Sequence, residues 1–373
     1  MPVRSNSTAA RHGRSRIGHS VIDAGPADRP LCVVGLGART AIGATGPASM
    51  AAVLGGVAGF GEEPGLFDRL GAPIVAARAP YLDPSLDGAQ RFAELAVPAA
   101  IEALEPLTQS MSRGSRLSVV LGLPESRPGL PTQLEDAVSR SLRSALDDLC
   151  HVEAFGTLAR GHSAGMLGLA RARAALSGSA AEFCLVGGVD SYLEPMTLEW
   201  LEDCGQLHNG ENAWGFVPGE GASFCLVCAE ASATRLDLHV LGRLITIASA
   251  REPNRIKTRT ICLGEGLTAA TRDALDQLPG PGSRIDQIAC DLNGEAYRTD
   301  ELGFMLSRAG ERFRDISAIR TPADAWGDVG AASAPLLVAT GCFAASKGVA
   351  KGPLTLLFTG SEGGDRVAAV LHA

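Results

Sequence analysis

The residues best suited to chemistry lie in one short run, Gly161-His162-Ser163-Ala164-Gly165. It fits G-x-S-x-G, a nucleophile elbow in which small residues let a tight turn lift a serine hydroxyl above a sheet. The pattern carries weight only between a strand and a helix. An extended run over 152–158 leads into it, and an Ala-rich helix predicted over 163–177 leads out and closes on Gly178. A nucleophilic serine also needs a base and a carboxylate that orients the base. Beyond the adjacent His162, only His208, His239 and His372 follow, and His372 lies one residue from the end, a poor place for a triad base. Ser163 therefore reads first as a helix N-cap and second as a nucleophile.

The elements that must position this turn follow from periodicity. Buried-type strands are predicted at 31–37, 118–123, 183–188, 223–229, 239–249, 285–292, 353–359 and 366–372. Helices are predicted at 46–56, 89–105, 133–149, 264–278, 300–313 and 331–347, with Phe92, Leu95, Ala96, Ala99 and Ala103 on one stripe of the second. Alternating strands and helices predict a mainly parallel, helix-covered sheet. The pattern restarts near His239, which suggests two similar halves, 29–235 and 236–373. Gly35-x-Gly37 is rejected as a dinucleotide loop because it lacks the third glycine and a following acidic residue.

Composition bounds the function. A chain of 373 residues, 46% hydrophobic and 20% charged, supports a large core. A net charge of -8 argues against nucleic acid or an anionic membrane as partner. No apolar run approaches the roughly 20 residues needed to span a bilayer. Nine cysteines sit mostly in apolar runs and read as reduced core residues of a cytoplasmic protein. Cys225-Leu226-Val227-Cys228 would place its thiols on opposite faces of a strand, so no metal site is expected, and nothing calls for a cofactor. Residues 1–28, rich in Ser, Arg and Gly, read as a disordered tail.

Over nearly all of 30–373 the sequence resembles the β-ketoacyl-synthase branch of the thiolase superfamily. The likeness rests on His162-Ser163-Ala164-Gly165 leading through a helix to Leu185-Val186-Gly187-Gly188-Val189, and on Phe216-Val217-Pro218-Gly219-Glu220-Gly221-Ala222. Weaker echoes are Gly35–Thr40, Gly264–Leu267, Gly327-Asp328-Val329-Gly330 and Gly363-Gly364. The resemblance implies a thiolase-like α/β fold, five-layered αβαβα with two similar halves. It also implies a dimer, with itself or with a cysteine-bearing synthase-like subunit, and an acyl carrier protein or acyl thioester as ligand.

Condensing members resemble one another in a cysteine at a helix start, two histidines and a lysine. The helix N-terminus activates the thiol, and the imidazoles stabilise an enolate. Carried over by motif, the cysteine position falls on His162 and the first histidine position on Asn293. The second histidine position falls on Asp328, no lysine precedes it at the expected distance, and the family's Gly-Phe-Gly-Gly gate reads Gly360-Ser361-Glu362-Gly363-Gly364. Candidate catalytic positions are thus His162, Ser163, Asn293 and Asp328, and candidate substrate-binding positions are Phe216, Gly219, Gly221, Ser361, Gly363 and Gly364.

Two functions are expected from these positions. One is a non-condensing subunit of fatty-acid or polyketide-type biosynthesis, comparable to a chain-length factor, because a site without a thiol cannot hold a thioester. The alternative is an acyltransferase or thioester hydrolase using Ser163 and His162 with Asp328. His162 could equally be a satisfied buried histidine bonded to Asp328 or Asn293. Asn293 and Glu295 could cap turns, Glu220 reads as structural, and Arg298 with Asp300 reads as a solvated ion pair.

Overall fold

The computed structural model describes residues 30–109, 116–178, 181–280 and 282–373, so the tail expected at 1–28 lies outside the described residues. The strands in chain order are β1 (Leu31–Thr40), β2 (Gly61–Phe67), β3 (Pro73–Ala76), β4 (Arg116–Leu123), β5 (His151–Ala159) and β6 (Phe183–Ser191). They continue with β7 (Glu220–Ala229), β8 (Gly242–Arg251), β9 (Gln287–Cys290), β10 (Ile319–Arg320), β11 (Leu354–Gly360) and β12 (Asp365–His372). All but the β2–β3 hairpin join one sheet in the order β10-β9-β11-β12-β8-β1-β7-β6-β4-β5.

Read outward from the β1–β8 seam, the order β1-β7-β6-β4-β5 matches β8-β12-β11-β9-β10. The directions match too: the first two pairings on each side are antiparallel and the outer two parallel. The expectation of a mainly parallel sheet is therefore corrected to a mixed one. Hydrophobic runs report that both faces of a strand are buried but not which way the strand points. The Ser361–Gly364 turn is short enough to return the chain antiparallel.

Strand alternation divides the core. On β6, Phe183 and Leu185 enter an outer core with the helices Gly88–Gln109 and Leu134–Asp147, while Cys184 and Val186 face a central core. On β7, Cys225 joins the central core and Cys228 the outer one, so the C-x-x-C pair does sit on opposite faces. The helices Glu265–Asp276 and Ala296–Ala309 cover the other half with a third core. Between the half-sheets run Ala164–Ser177 and Ser333–Ser346, which completes five layers, αβαβα.

Ser333–Ser346 is apolar and buried nearly all round, whereas Ala164–Ser177 is fully buried over Ala164–Ala170 and carries an exposed Arg171 and a buried Arg173 in its second half. Gly165, read as an elbow glycine, marks their crossing: a Cβ there would lie 2.6 Å from Pro335 Cδ. The helix expected at 300–313 begins at Ala296, and the strand expected from 223 begins at Glu220. No described helix is long and apolar enough to cross a membrane.

Candidate active site

Each central helix is entered through a short 3-10 turn, Gly161-His162-Ser163 in one half and Gly330-Ala331-Ala332 in the other. Both first residues have positive φ, +53° at Gly161 and +45° at Gly330, a backbone region where glycine is strongly favoured. The two turns place His162 against the loop that carries Asp328, and the C-terminal end of β9 adds a third segment, 291–298.

His162 is 5% exposed and its Nε2 lies 2.8 Å from Asp328 Oδ1 and 2.9 Å from Oδ2. Asn293 Nδ2 donates to Asp328 Oδ2 at 2.6 Å, and the Gly330 amide donates to Oδ1 at 2.8 Å. Burial alone would lower the His162 pKa, but the Asp328 carboxylate outweighs it and the net shift is upward. Burial likewise pushes Asp328 up, and His162 with Arg298 overrides it, holding the carboxyl well below the usual range. The upward shift at His162 and the downward shift at Asp328 each favour the charged form of the pair. A cation at a helix N-terminus opposes the helix dipole, so the Asp328 charge compensates for two costs, burial and position.

Sequence reasoning missed the centre of the surrounding network. Arg298 is 5% exposed and donates to Asp291 Oδ2 at 3.0 Å, Glu295 Oε2 at 3.2 Å and the Gly360 carbonyl at 2.9 Å. The solvated Arg298–Asp300 pair is thus corrected: the helix starts at Ala296, which turns Arg298 inward and leaves Asp300 exposed. Glu295 makes no side-chain cap; it accepts from Gln206 Nε2 at 2.8 Å and from Asn293 Nδ2 at 3.1 Å. Asn293 does support a turn, its Oδ1 accepting from the Glu295 amide at 3.1 Å. Gln206 also reaches Glu362 Oε1 at 2.6 Å, and Glu362 takes Lys257 Nζ at 2.9 Å. The legible signal for Arg298 was an arginine three residues past the predicted Glu295 turn.

Ser163 stands apart from this cluster. Its hydroxyl donates to the carbonyls of Asp365 at 3.1 Å and Thr359 at 3.3 Å, and its amide donates to Ser361 Oγ at 2.9 Å. It is neither directed at His162 nor a side-chain cap of its helix, which corrects the N-cap reading. Ser361 in turn donates to the Arg160 carbonyl, so the β11–β12 turn is tied to the entry turn.

The remaining candidates are placed as supports. Gly219 and Asp328 exchange backbone contacts: the Gly219 amide donates to Asp328 O at 2.9 Å, and the Asp328 amide to Val217 O at 2.9 Å. A Cβ at Gly219 would lie 2.4 Å from the Trp326 carbonyl. Phe216 is buried edge-on to Tyr192, with ring centroids 5.3 Å apart. Gly221 backs onto the Arg39 carbonyl. The Gly363 amide donates to the Glu125 carboxylate at 3.0 Å, and Gly364 has φ +101° beside Arg255. Glu220 is structural as expected, accepting Arg91 Nη2 at 2.6 Å and the Ala79 amide at 2.8 Å. The cavities beside the cluster, one lined by Asp328 and Cys290 and one by Asp291 and Arg298, hold about 10 Å³ each, room for about one water.

No protein-family model matches this chain, and no curated protein matches it. Solved structures do. One is described as a type II PKS acyl-carrier protein in complex with its ketosynthase bound to the hexaketide; it matches at TM-score 0.77 and 16% identity, over 92% of this chain and 99% of that one. The ishigamide ketosynthase/chain length factor matches at TM-score 0.76 and 15% identity, over 92% and 99%. A β-ketoacyl synthase from Burkholderia phymatum STM815 matches at TM-score 0.71 and 14% identity, over 92% and 99%. The chain has the thiolase-like ketosynthase fold.

Proposed function

We propose that this chain is a non-condensing ketosynthase-like subunit of fatty-acid or polyketide-type biosynthesis, built as halves 29–235 and 236–373 and working beside a cysteine-bearing partner. One observation carries the reading: where the resemblance puts a thiol and a histidine, His162 and Asp328 form a buried ion pair 2.8 Å apart. An acylated imidazole would hydrolyse readily, and a carboxylate at 328 would repel an enolate, so neither half of a condensation is served. Each of the two cavities found beside the pair among the described residues holds about 10 Å³, too small for an acyl chain.

The rim above the site suits an anionic carrier. Arg160, Arg251, Arg255 and Lys257 are exposed around the β11–β12 turn; Arg251 Nη2 reaches the Gly363 carbonyl at 2.6 Å, and both Arg160 and Arg251 share Asp365. The exposed Arg160, Arg251, Arg255 and Lys257 favour an acidic acyl carrier protein, as in the complex reported for one structural neighbour. Dimerisation would use β5, an edge strand hydrogen-bonded only to β4 among the described strands and largely exposed. Nine free cysteines fit a reducing cytosol.

The serine-enzyme alternative keeps an assembled His162–Asp328 pair but lacks the bond from Ser163 Oγ to His162 that activation requires. The test is a condensation assay on the purified chain with acyl and malonyl thioesters, alone and with a cysteine-bearing synthase. Product only in the presence of the partner is expected. Product from the chain alone overturns the reading.

A further inference from the structure

A separate cavity of about 650 Å³ opens where the two half-sheets part, and it shares no lining residue with the His162 site. β1 pairs with β7 from Leu31 to Thr40 but with β8 only over Leu31–Val33, so on the β8 side Val34, Gly35 and Leu36 border the cavity instead of a strand. The volume falls in the range of small-molecule sites, roughly 300–1,000 Å³. Most of the lining is apolar, with Met50, Leu238 and Phe343 contributing.

Its charge has one sign. Glu102, Glu105 and Asp237 line it, with His239 as the remaining titratable side chain apart from Cys342, and no lysine or arginine does. Glu102 is neutralised by Arg39 at 2.7 Å. Glu105 and Asp237 are exposed and make no ion pair among the described residues. The helices Gly88–Gln109 and Ser333–Ser346 each bring their C-terminal ends to the lining, at Pro106 and Ser346, and these carry partial negative charge. The nearby Lys347 ammonium lies over the Phe343 ring at 5.2 Å, outside the lining.

We infer that this cavity binds a mostly apolar molecule carrying one cationic amine, with the apolar body against Met50 and Phe343 and the amine toward Glu105 and Asp237. A carboxylate or phosphate would meet uncompensated like charge there, so the occupant differs in class from an acyl thioester. This inference does not rest on the proposed function.

The test titrates the full chain by calorimetry with decylamine, decanol and decanoate, all below micelle-forming concentration. Decylamine is expected to occupy one site about tenfold more tightly than decanol, with no binding of decanoate. The double change Glu105→Gln and Asp237→Asn brings amine and alcohol within about twofold of each other. Ser346→Trp, at an exposed position, blocks the cavity and abolishes amine binding, and Leu238→Trp serves as a second block should the first unfold. Equal affinity for amine and alcohol, tighter binding of decanoate, no amine binding, or amine binding that survives both blocks overturns the inference.

Discussion

Asp328 receives His162 Nε2 through both carboxylate oxygens, at 2.8 and 2.9 Å, while Ser163, one residue along the same turn, gives its hydroxyl to the carbonyls of Thr359 and Asp365. Adjacent residues at a helix entry diverge, and here the divergence separates a charged pair from a neutral tether.

Breaking the pair is expected to be expensive. Asp328→Asn leaves the His162 imidazole buried without the carboxylate that balances it, 3.4 Å from the Arg298 guanidinium. A loss of about 3–5 kcal/mol is expected, read as a lower urea midpoint. An unchanged midpoint would mean that the pair is not an ion pair.

Stability should depend on pH with a defined sign. His162 has its pKa raised above 6.5 in the fold, so its contribution is complete below pH 6.5 and is lost as pH rises through the raised value. Asp328 is depressed below 3.8, so its contribution is present above 3.8 and is lost only as pH falls through the depressed value. The urea midpoint should therefore fall as pH rises above 6.5, and His162→Gln should flatten that fall. The same slope in the variant would assign it to another group.

Ser163 should be chemically silent. Ser163→Ala removes two weak bonds to carbonyls and is expected to cost about 1 kcal/mol, and a fluorophosphonate probe should leave Ser163 unlabelled. Labelling at Ser163 would revive the serine route.

The β5 edge should set the oligomeric state. Ala154 and Gly156 are exposed on it, and lysines at both positions would blunt strand pairing. Sedimentation should show a dimer for the unaltered chain and a monomer for Ala154→Lys with Gly156→Lys. A dimer that survives would place the contact elsewhere.

Much of the fold was legible because burial leaves a period. The strands at 118–123, 183–188 and 353–359 and the helices at 89–105 and 331–347 are continuous apolar or striped runs, and the restart near His239 reflects the repeated strand order. Strand direction was not legible, since it depends on how short turns such as Ser361–Gly364 return the chain. The two-residue β10 and the β2–β3 hairpin lacked periodic signal; β2, Gly61–Phe67, is Gly- and Glu-containing and mostly exposed.

Of the site, His162 and Asn293 both bond Asp328, and the positions lie at element ends fixed by glycines such as Gly161 and Gly330. Arg298 was misread because a four-residue error in one helix start turns a side chain from core to solvent. Gln206, Glu362 and Lys257 join through loops far apart in sequence, where composition carries no distance information.

The central claim is that neither His162 nor Ser163 carries an acyl group. Intact-mass measurement of the purified chain after incubation with excess acyl thioester tests it most directly. The account predicts the mass of the unmodified chain at every time point. A stable addition of one acyl mass, mapped to His162 or Ser163 and lost in the corresponding alanine variant, would contradict it.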